Sequence, residues 1–303
     1  MKQYETFFEW VTVCIKKRIS PADSQGYWIT HKKRKLRNEI IQYYKMYPTA
    51  DNSINEALNY LKKSGFQSPY PYPFRNKYKI KDLRIRHDDS GQPFYTFPNG
   101  KRLFLKRTSD YEAARIMNEL LIEQDTNSPH RYFTSDFKTS TSDILADVGC
   151  AEGILSLMVI DQIEHAYLFE CDEEWIEALQ KTFAPWKEKV TIIQGYVSKE
   201  DGGNSLTLSS FFKNQTLPPT FIKLDVEGYE MDVMLGMKEL WQTPDLRIAV
   251  CTYHNQNDAA DFTMFLEKKS MVCHYSNHYM IMSLDEYQPP YFRRGLIRAT
   301  ARK

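Results

Sequence analysis

The residues whose types and spacing suit them to chemistry lie in runs that begin apolar and end in an acid. The first is Ile144-Leu-Ala-Asp147-Val-Gly149-Cys150-Ala-Glu152-Gly153, an apolar strand, a turn bearing two glycines, and a helix start. Gly149 and Gly153 let the backbone turn tightly and approach a ligand where a Cβ would clash. Asp147 closes the strand at the carboxyl edge of a sheet, where open α/β folds bind ligands. The spacing D-x-G-x-x-x-G lacks the close glycine pair that admits a pyrophosphate in the dinucleotide fingerprint. It points instead to a ligand without phosphate, and S-adenosylmethionine matches, because its amino-acid end pairs with acidic and backbone groups. Glu170 ends the next apolar strand, 21 residues beyond Gly149, near the ~20-residue offset of an acid that accepts from ribose hydroxyls. NAD enzymes share that acid, so alone it does not separate the two cofactors. Tyr196-Val197, after the third strand, occupies the place that frames an adenine, and Cys150 and Glu152 complete the turn.

A further run, Phe221-Ile-Lys-Leu-Asp225-Val-Glu227-Gly228-Tyr-Glu230, is again an apolar strand ending in an acid, and Cys251-Thr-Tyr-His254 ends the strand after it. Asp225, Glu227 and His254 thus fall at the carboxyl ends of neighbouring strands. Methyl transfer is an in-line displacement at a carbon activated by its sulfonium leaving group, so the protein must align the acceptor and remove its proton. Positioning contributes ~7–11 kcal/mol and a general base a further ~10²–10⁴-fold. The expectation is His254 as base for the acceptor, a hydroxyl on the family resemblance given below, Asp225 orienting it or the cofactor, and Glu227 holding the acceptor. A divalent metal on Asp225 and Glu227 is the rival reading, since paired hard oxygens suit Mg²⁺; without a clear third ligand the assignment is no metal.

These residues need a sheet to carry them. Strand–helix alternation after about residue 140 gives apparent strands at 144–148, 166–170, 190–194, 221–225, 247–253, 272–276 and 296–301. The fold class read from this is α/β, a Rossmann-like, doubly wound sheet of seven strands with the last antiparallel. A mainly helical N-terminal extension precedes it, with domains expected at 1–135 and 136–303. In the extension, helices are expected at Tyr4–Ile19 and His31–Met46, with a third capped by Asp51 or Ser53 and ended at Gly65. Short strands about Asp89-Ser-Gly91 and Pro98-Asn-Gly100 form a small hairpin or two, and one more helix spans Ser109–Gln124.

The run Ile222-Lys-Leu-Asp-Val-Glu-Gly-Tyr-Glu230, with Val233-Met-Leu-Gly236, closely resembles the hallmark of the FkbM-type family of S-adenosylmethionine-dependent methyltransferases. Asp147–Gly153, Phe169-Glu170 and Cys251-Thr-Tyr-His254 resemble it too, over residues from about 140 to 270. The resemblance implies a Rossmann-like O-methyltransferase acting on a sugar, glycan or natural product, releasing S-adenosylhomocysteine. Two departures, Cys171 where a proline commonly follows the glutamate and Thr207-Leu-Ser209 for Thr-Leu-Asp, remove no charged ligand to the cofactor.

Composition bounds the rest. A chain of 303 residues, 42% hydrophobic, with 12 Gly and 14 Pro, is neither disordered nor collagen-like. No apolar run approaches the ~20 residues of a membrane span, and five cysteines without metal spacing read as free thiols in a reducing, cytoplasmic setting. Net charge +1 conceals an asymmetry: residues 1–110 hold 22 Lys and Arg against 10 Asp and Glu, the remainder 18 against 29. The basic part suits a phosphorylated or lipid-linked acceptor received by Lys32-Lys-Arg-Lys35, with Tyr70, Tyr72 and Phe74 stacking on a sugar ring; the plainer reading is a dimerisation or packing layer. A nucleic-acid methyltransferase recruited by the same charge is the alternative, opposed by the absence of a recognised nucleic-acid motif, and an inert cofactor-binding module is the third. Gln288-Pro-Pro-Tyr291 resembles the Asn-Pro-Pro-Tyr loop of N-methyltransferases, but lies between the last two strands. His274 and His278 lack partners at ligand spacing.

Overall fold

The computed structural model describes residues 21–282 and 287–302, so the helix expected at Tyr4–Ile19, and Cys14, lie outside the described residues. Helix α1 (Pro21–Met46) is described from Pro21, ten residues ahead of His31. Asp51 caps α2 (Asn52–Ser64), accepting from the Ser53 and Ile54 amides at 2.8 and 3.2 Å, and Gly65 ends it. Strands β1 (Ile85–His87), β2 (Pro93–Thr96) and β3 (Arg102–Phe104) pair antiparallel through the two glycine turns. Ser109 caps α3 (Asp110–Glu123).

The alternation that follows is β4 (Ile144–Val148), α4 (Ile154–Val159), β5 (His165–Glu170), α5 (Glu173–Phe183) and β6 (Val190–Gln194). A short excursion, β7 (Tyr196–Val197) and β8 (Ser205–Leu206), leads through α6 (Leu208–Phe212) to β9 (Phe221–Leu224), α7 (Glu230–Leu235) and β10 (Arg247–Cys251). The chain closes with α8 (Asp258–Lys268), β11 (Met271–Tyr275) and β12 (Leu296–Ala301). Seven of these strands form one sheet in the order β11-β12-β10-β9-β4-β5-β6. β12 runs antiparallel to both of its neighbours, β10 and β11, so the Rossmann-like reading with an antiparallel last strand holds.

Strand side chains alternate between sheet faces, and the alternation sorts the molecule. Ala146, Val148, Ile222, Leu224, Ile248 and Val250 pack with α6, α7 and α8 on one face. Leu145, Phe221, Ala249 and Cys251 face the other way, into a core shared with α2, α3 and the proline-rich segment. Asp147 and Lys223 continue that second set, so the polar ends of β4 and β9 point toward the N-terminal layer. That layer is tied to the α/β unit: the Phe104 amide donates to Thr182 Oγ1 at 2.9 Å, and Lys181 pairs with Asp88 at 2.7 Å.

Tyr72 and Phe74 are buried in this layer, Tyr72 stacked on Phe74 and packed against His278. They are therefore core residues and present no platform to a sugar. Although three prolines in Ser68–Phe74 argue against regular structure, the last of them, Pro73, opens a short 3₁₀ helix (Pro73–Lys77) that carries Phe74 into the core. His278 is also committed locally, to the Asn127 carbonyl at 2.8 Å. Cys150, Cys171, Cys251 and Cys273 are free thiols. Among the described residues, no helix is long and apolar enough to cross a membrane.

Candidate active site

A cavity of about 540 Å³ opens at the carboxyl ends of β4, β9 and β10, within the ~300–1,000 Å³ of small-molecule sites. Its floor is the glycine turn, with Asp147, Gly149, Cys150, Ala151 and Glu152; Lys223, Asp225, Glu227 and Tyr253 come from the neighbouring strand ends. Helix α3 also lines it, through Arg115, Glu119 and Glu123, with Tyr70; Met280, Met282 and Tyr287 line it from the segment before β12. Gln288–Tyr291 does not line it, and Tyr291 packs on Tyr43 instead.

The glycines serve the protein's own packing. At Gly149, φ is +69° and a Cβ would stand 2.0 Å from the Asp225 carbonyl oxygen; at Gly153 it would strike Phe183 and Leu179. The expected clearance for a ligand is thus, in the structure, clearance for β9 and for α5. The close approach brings Asp147 and Asp225 together over the same cavity.

Charge is concentrated here. Asp147, 1% exposed, lies 3.3 Å from the Lys223 ammonium and accepts from Ser156 Oγ at 2.7 Å. Asp225 accepts from the hydroxyls of Tyr132 (2.9 Å) and Tyr253 (3.0 Å), and His130 Nε2 stands 3.4 Å away. Burial opposes ionisation of Asp225, but His130, Lys223 and His254 outweigh it and hold the carboxyl well below its ordinary range. Glu152 is the reverse case: burial, then the charge of Glu123, pushes it up to about 8. Glu123 is raised by burial and by Asp225 and Glu119. Cys150, also buried, has its thiol pushed far up, which disfavours the thiolate.

His254 is fully buried behind this surface and does not line the cavity. Its Nδ1 lies 3.0 Å from Glu230 Oε1, and its Nε2 lies 3.5 Å from both Asp225 Oδ1 and Glu227 Oε2. Burial pushes the imidazole down, but Glu230, Asp225 and Glu227 raise it overall. Glu230 also shapes the turn: its Oε1 accepts from the Val226 amide at 2.8 Å and the Gly228 amide at 3.4 Å. Glu227, held in that turn at φ 54°, reaches the cavity mouth with its pKa raised by partial burial and by Asp225 and Glu230, against His254. The spacing of D-V-E-G-Y-E thus has a physical reason, since its last acid fastens the turn that presents the middle one.

The structure brings Asp147, Gly149, Cys150, Glu152, Asp225 and Glu227 to one cavity and sets His254 just behind it. Gly153 lies under the turn. Glu170 does not line the cavity; its oxygens accept from the Ala151 and Asp172 amides, both at 2.8 Å, so it braces the turn from the far side. Tyr196 is exposed and Val197 buried beyond Glu170, and neither lines the cavity. Sequence reasoning passed over Tyr132, His130, Lys223, Tyr253, Glu230, Glu123 and Glu119. A lysine within the buried strand Phe-Ile-Lys-Leu was a signal for the third of these; His130 and Tyr132 sit in an irregular segment that carries none.

Among the described residues, two groups hold atoms close enough for a cation, His130–Asp225–Cys251 and Asp225–Glu230–His254, each within 4.8 Å. Both share Asp225, whose oxygens already accept from two tyrosines, and Glu230 is committed to two backbone amides. Glu230 Oε2 and both ring nitrogens of His254 make no hydrogen bond.

Residues 177–282 match the Methyltransferase FkbM domain, a stretch that includes Asp225–Glu230 and His254 and begins after the glycine turn. Comparison with curated proteins finds no match. Among solved structures the chain is similar to a methyltransferase FkbM of Methylobacillus flagellatus KT, at 16% identity and TM-score 0.45, covering 63% of this chain and 53% of that one. This chain therefore spans about half the length of that relative. It is also similar to a precorrin-6y C5,15-methyltransferase of Geobacter metallireducens GS-15, at 10% identity, TM-score 0.38, 55% and 82% coverage. An rRNA methylase of Streptococcus thermophilus follows at 12% identity, TM-score 0.39, 54% and 89% coverage.

Proposed function

With an FkbM methyltransferase domain at residues 177–282 as the premise, we propose that this chain is an S-adenosylmethionine-dependent methyltransferase that methylates a hydroxyl of a sugar, glycan or natural product. The observation that carries the reading is the charge of the cavity. About the glycine turn its carboxyls, Asp147, Glu152, Asp225 and Glu227, outnumber its cations, Lys223 and Arg115. Lys223 is already paired with Asp147, and Arg115 with Glu112. Burial leaves Glu152 short of a counter-charge, which a ligand bearing a sulfonium and an ammonium supplies. A pyrophosphate would meet the same acids as repulsion, which disfavours a dinucleotide and a nucleic-acid phosphate alike.

S-adenosylmethionine would be held by the Gly149–Glu152 turn with Asp147 and Asp225, and supplies an electrophilic methyl group on its sulfonium. The remaining tasks belong to the chain. Glu227 meets the acceptor, being the carboxyl that lines the cavity, with a raised pKa suited to accepting a hydroxyl proton. His254 is a positioning residue behind it: Glu230 fixes Nδ1, so Nε2 faces Glu227 and Asp225 and steadies the carboxylate that takes the proton. Asp225, locked by two tyrosines, stays ionised to face positive charge. No metal is assigned a part. The wall from α3 and Tyr70 gives the N-terminal layer the acceptor side of the cavity.

Calorimetric titration with S-adenosylmethionine, S-adenosylhomocysteine and NAD is the test. The first two are expected to bind and NAD not to; failure of both adenosyl ligands, or tight NAD binding, overturns the assignment.

A further inference from the structure

The acceptor side of the cavity holds more negative charge than a methyl donor explains. Glu119 and Glu123, both lining the cavity, stand one helical turn apart on α3, a like-charge spacing that destabilises an isolated helix. Among the described residues neither has an ion-pair partner, and Arg115, one turn earlier, is bound at both ends of its guanidinium to Glu112 at 2.9 and 2.5 Å. A second observation stands beside the acids. Tyr70, 1% exposed and lining the same cavity, keeps its hydroxyl without a well-formed hydrogen bond although it lies near enough to Glu123 to lower that carboxyl, and buried polar groups are nearly always satisfied. Around these groups lie Leu120, Met280 and Met282, apolar surface suited to a carbon skeleton.

On the reading that this cavity takes an adenosyl methyl donor, we infer that the acceptor is an amine-bearing polyhydroxy compound whose ammonium is seated by Glu119, Glu123 and the Tyr70 hydroxyl. An ammonium offers three donors and no acceptor, which matches two carboxylates and a phenol oxygen. The hydroxyl to be methylated is then directed to Glu227. The acids in the wall disfavour a phosphorylated acceptor in the cavity, so a phosphate on the acceptor would have to lie outside it.

The test uses the full chain saturated with S-adenosylhomocysteine, titrated with glucosamine, glucose and glucose 6-phosphate as probes of charge. Glucosamine is expected to bind tightest and glucose 6-phosphate weakest. The Glu119→Gln/Glu123→Gln protein is expected to lose about tenfold in glucosamine affinity, a loss of about 1.4 kcal/mol, with glucose affinity little changed. Its affinity for S-adenosylhomocysteine, within about threefold of wild type, confirms that it folds. If S-adenosylhomocysteine binds but glucosamine binds no better than glucose, or none of the three binds, the amine assignment is wrong while the methyl-donor reading stands. If S-adenosylhomocysteine itself fails to bind the wild-type chain, the methyl-donor reading falls and this inference with it.

Discussion

Lys223 sets the charge of the site from beneath. It is 4% exposed, and Asp147, its partner, is 1% exposed. Burial pulls a lysine's pKa down, yet the charges of Asp147 and Asp225 hold this one above its ordinary value. Removing the cation leaves a buried carboxylate uncompensated, so Lys223→Met is expected to cost about 3–5 kcal/mol, read as a lower urea midpoint at unchanged slope. Adding Asp147→Asn should return most of the loss; a Lys223→Met protein as stable as wild type would mean that the pair contributes nothing. Glu152 gives a prediction of opposite sign. With its folded pKa raised to about 8 from 4.5, the folded state keeps a proton that the unfolded chain releases. Stability contributed by this group is therefore whole below pH 4.5 and falls as pH rises through that window. A bound sulfonium favours the carboxylate, so S-adenosylmethionine binding at pH 7 should release up to about one proton. Calorimetry in buffers of different ionisation enthalpy reads this release, which should vanish in Glu152→Gln; a wild-type binding enthalpy independent of buffer would refute it.

Strands β4 and β9 are held at their carboxyl ends by an absent side chain. Gly149→Ala puts a Cβ 2.0 Å from the Asp225 carbonyl at a φ of +69°, whereas Gly65→Ala meets the same kind of φ, +80°, with nothing within 4 Å. At Gly65, where ψ is −172°, the second change should cost only the strain of a backbone region nearly reserved for glycine, about 1–3 kcal/mol; the first adds to its own strain a backbone clash of about 1–3 kcal/mol or more. Thermal melts of the two variants separate these effects, and equal losses would show that β9 yields freely. The same contact explains what could be read beforehand. Strand positions followed from apolar runs, and alternation along Ile144–Asp147 and Phe221–Asp225 placed the acids at one sheet edge, because period and burial are local. Two expectations failed for non-local reasons: the clash at Gly149 comes from a strand more than 70 residues away, and Tyr72 and Phe74 are buried by the segment before β12. His130 and Tyr132 reach Asp225 from an irregular segment whose path depends on the whole core. No pattern along the chain encodes that.

Part of the charge asymmetry of the chain is spent where its two layers meet. Lys101 pairs with Asp161 at 2.7 Å, Lys106 with Glu174 at 2.8 Å and Arg107 with Glu177 at 2.7 Å, basic residues of the N-terminal layer against acids of the α/β unit. Lys101 is the most enclosed, its side chain 12% exposed, and it also donates to the Leu157 carbonyl at 2.7 Å. By contrast Lys33, Arg34 and Lys35 on α1 are exposed. If the seam uses this charge for cohesion, Lys106→Ala/Arg107→Ala should lose about 0.2–1 kcal/mol per pair, and adding Lys101→Met should lose more, since its carbonyl contact and Asp161 are left behind. Salt distinguishes this from a packing defect: raising ionic strength from about 0.1 to about 1 M shortens screening from about 10 to about 3 Å, so the gap between wild type and the exposed-pair variant should narrow. Lys33→Gln/Arg34→Gln/Lys35→Gln should leave the melting temperature unchanged at either salt. A seam variant as stable as wild type, with the α1 variant destabilised, would reverse the assignment: the strands of the N-terminal layer would carry charge for a partner and α1 would carry it for the fold.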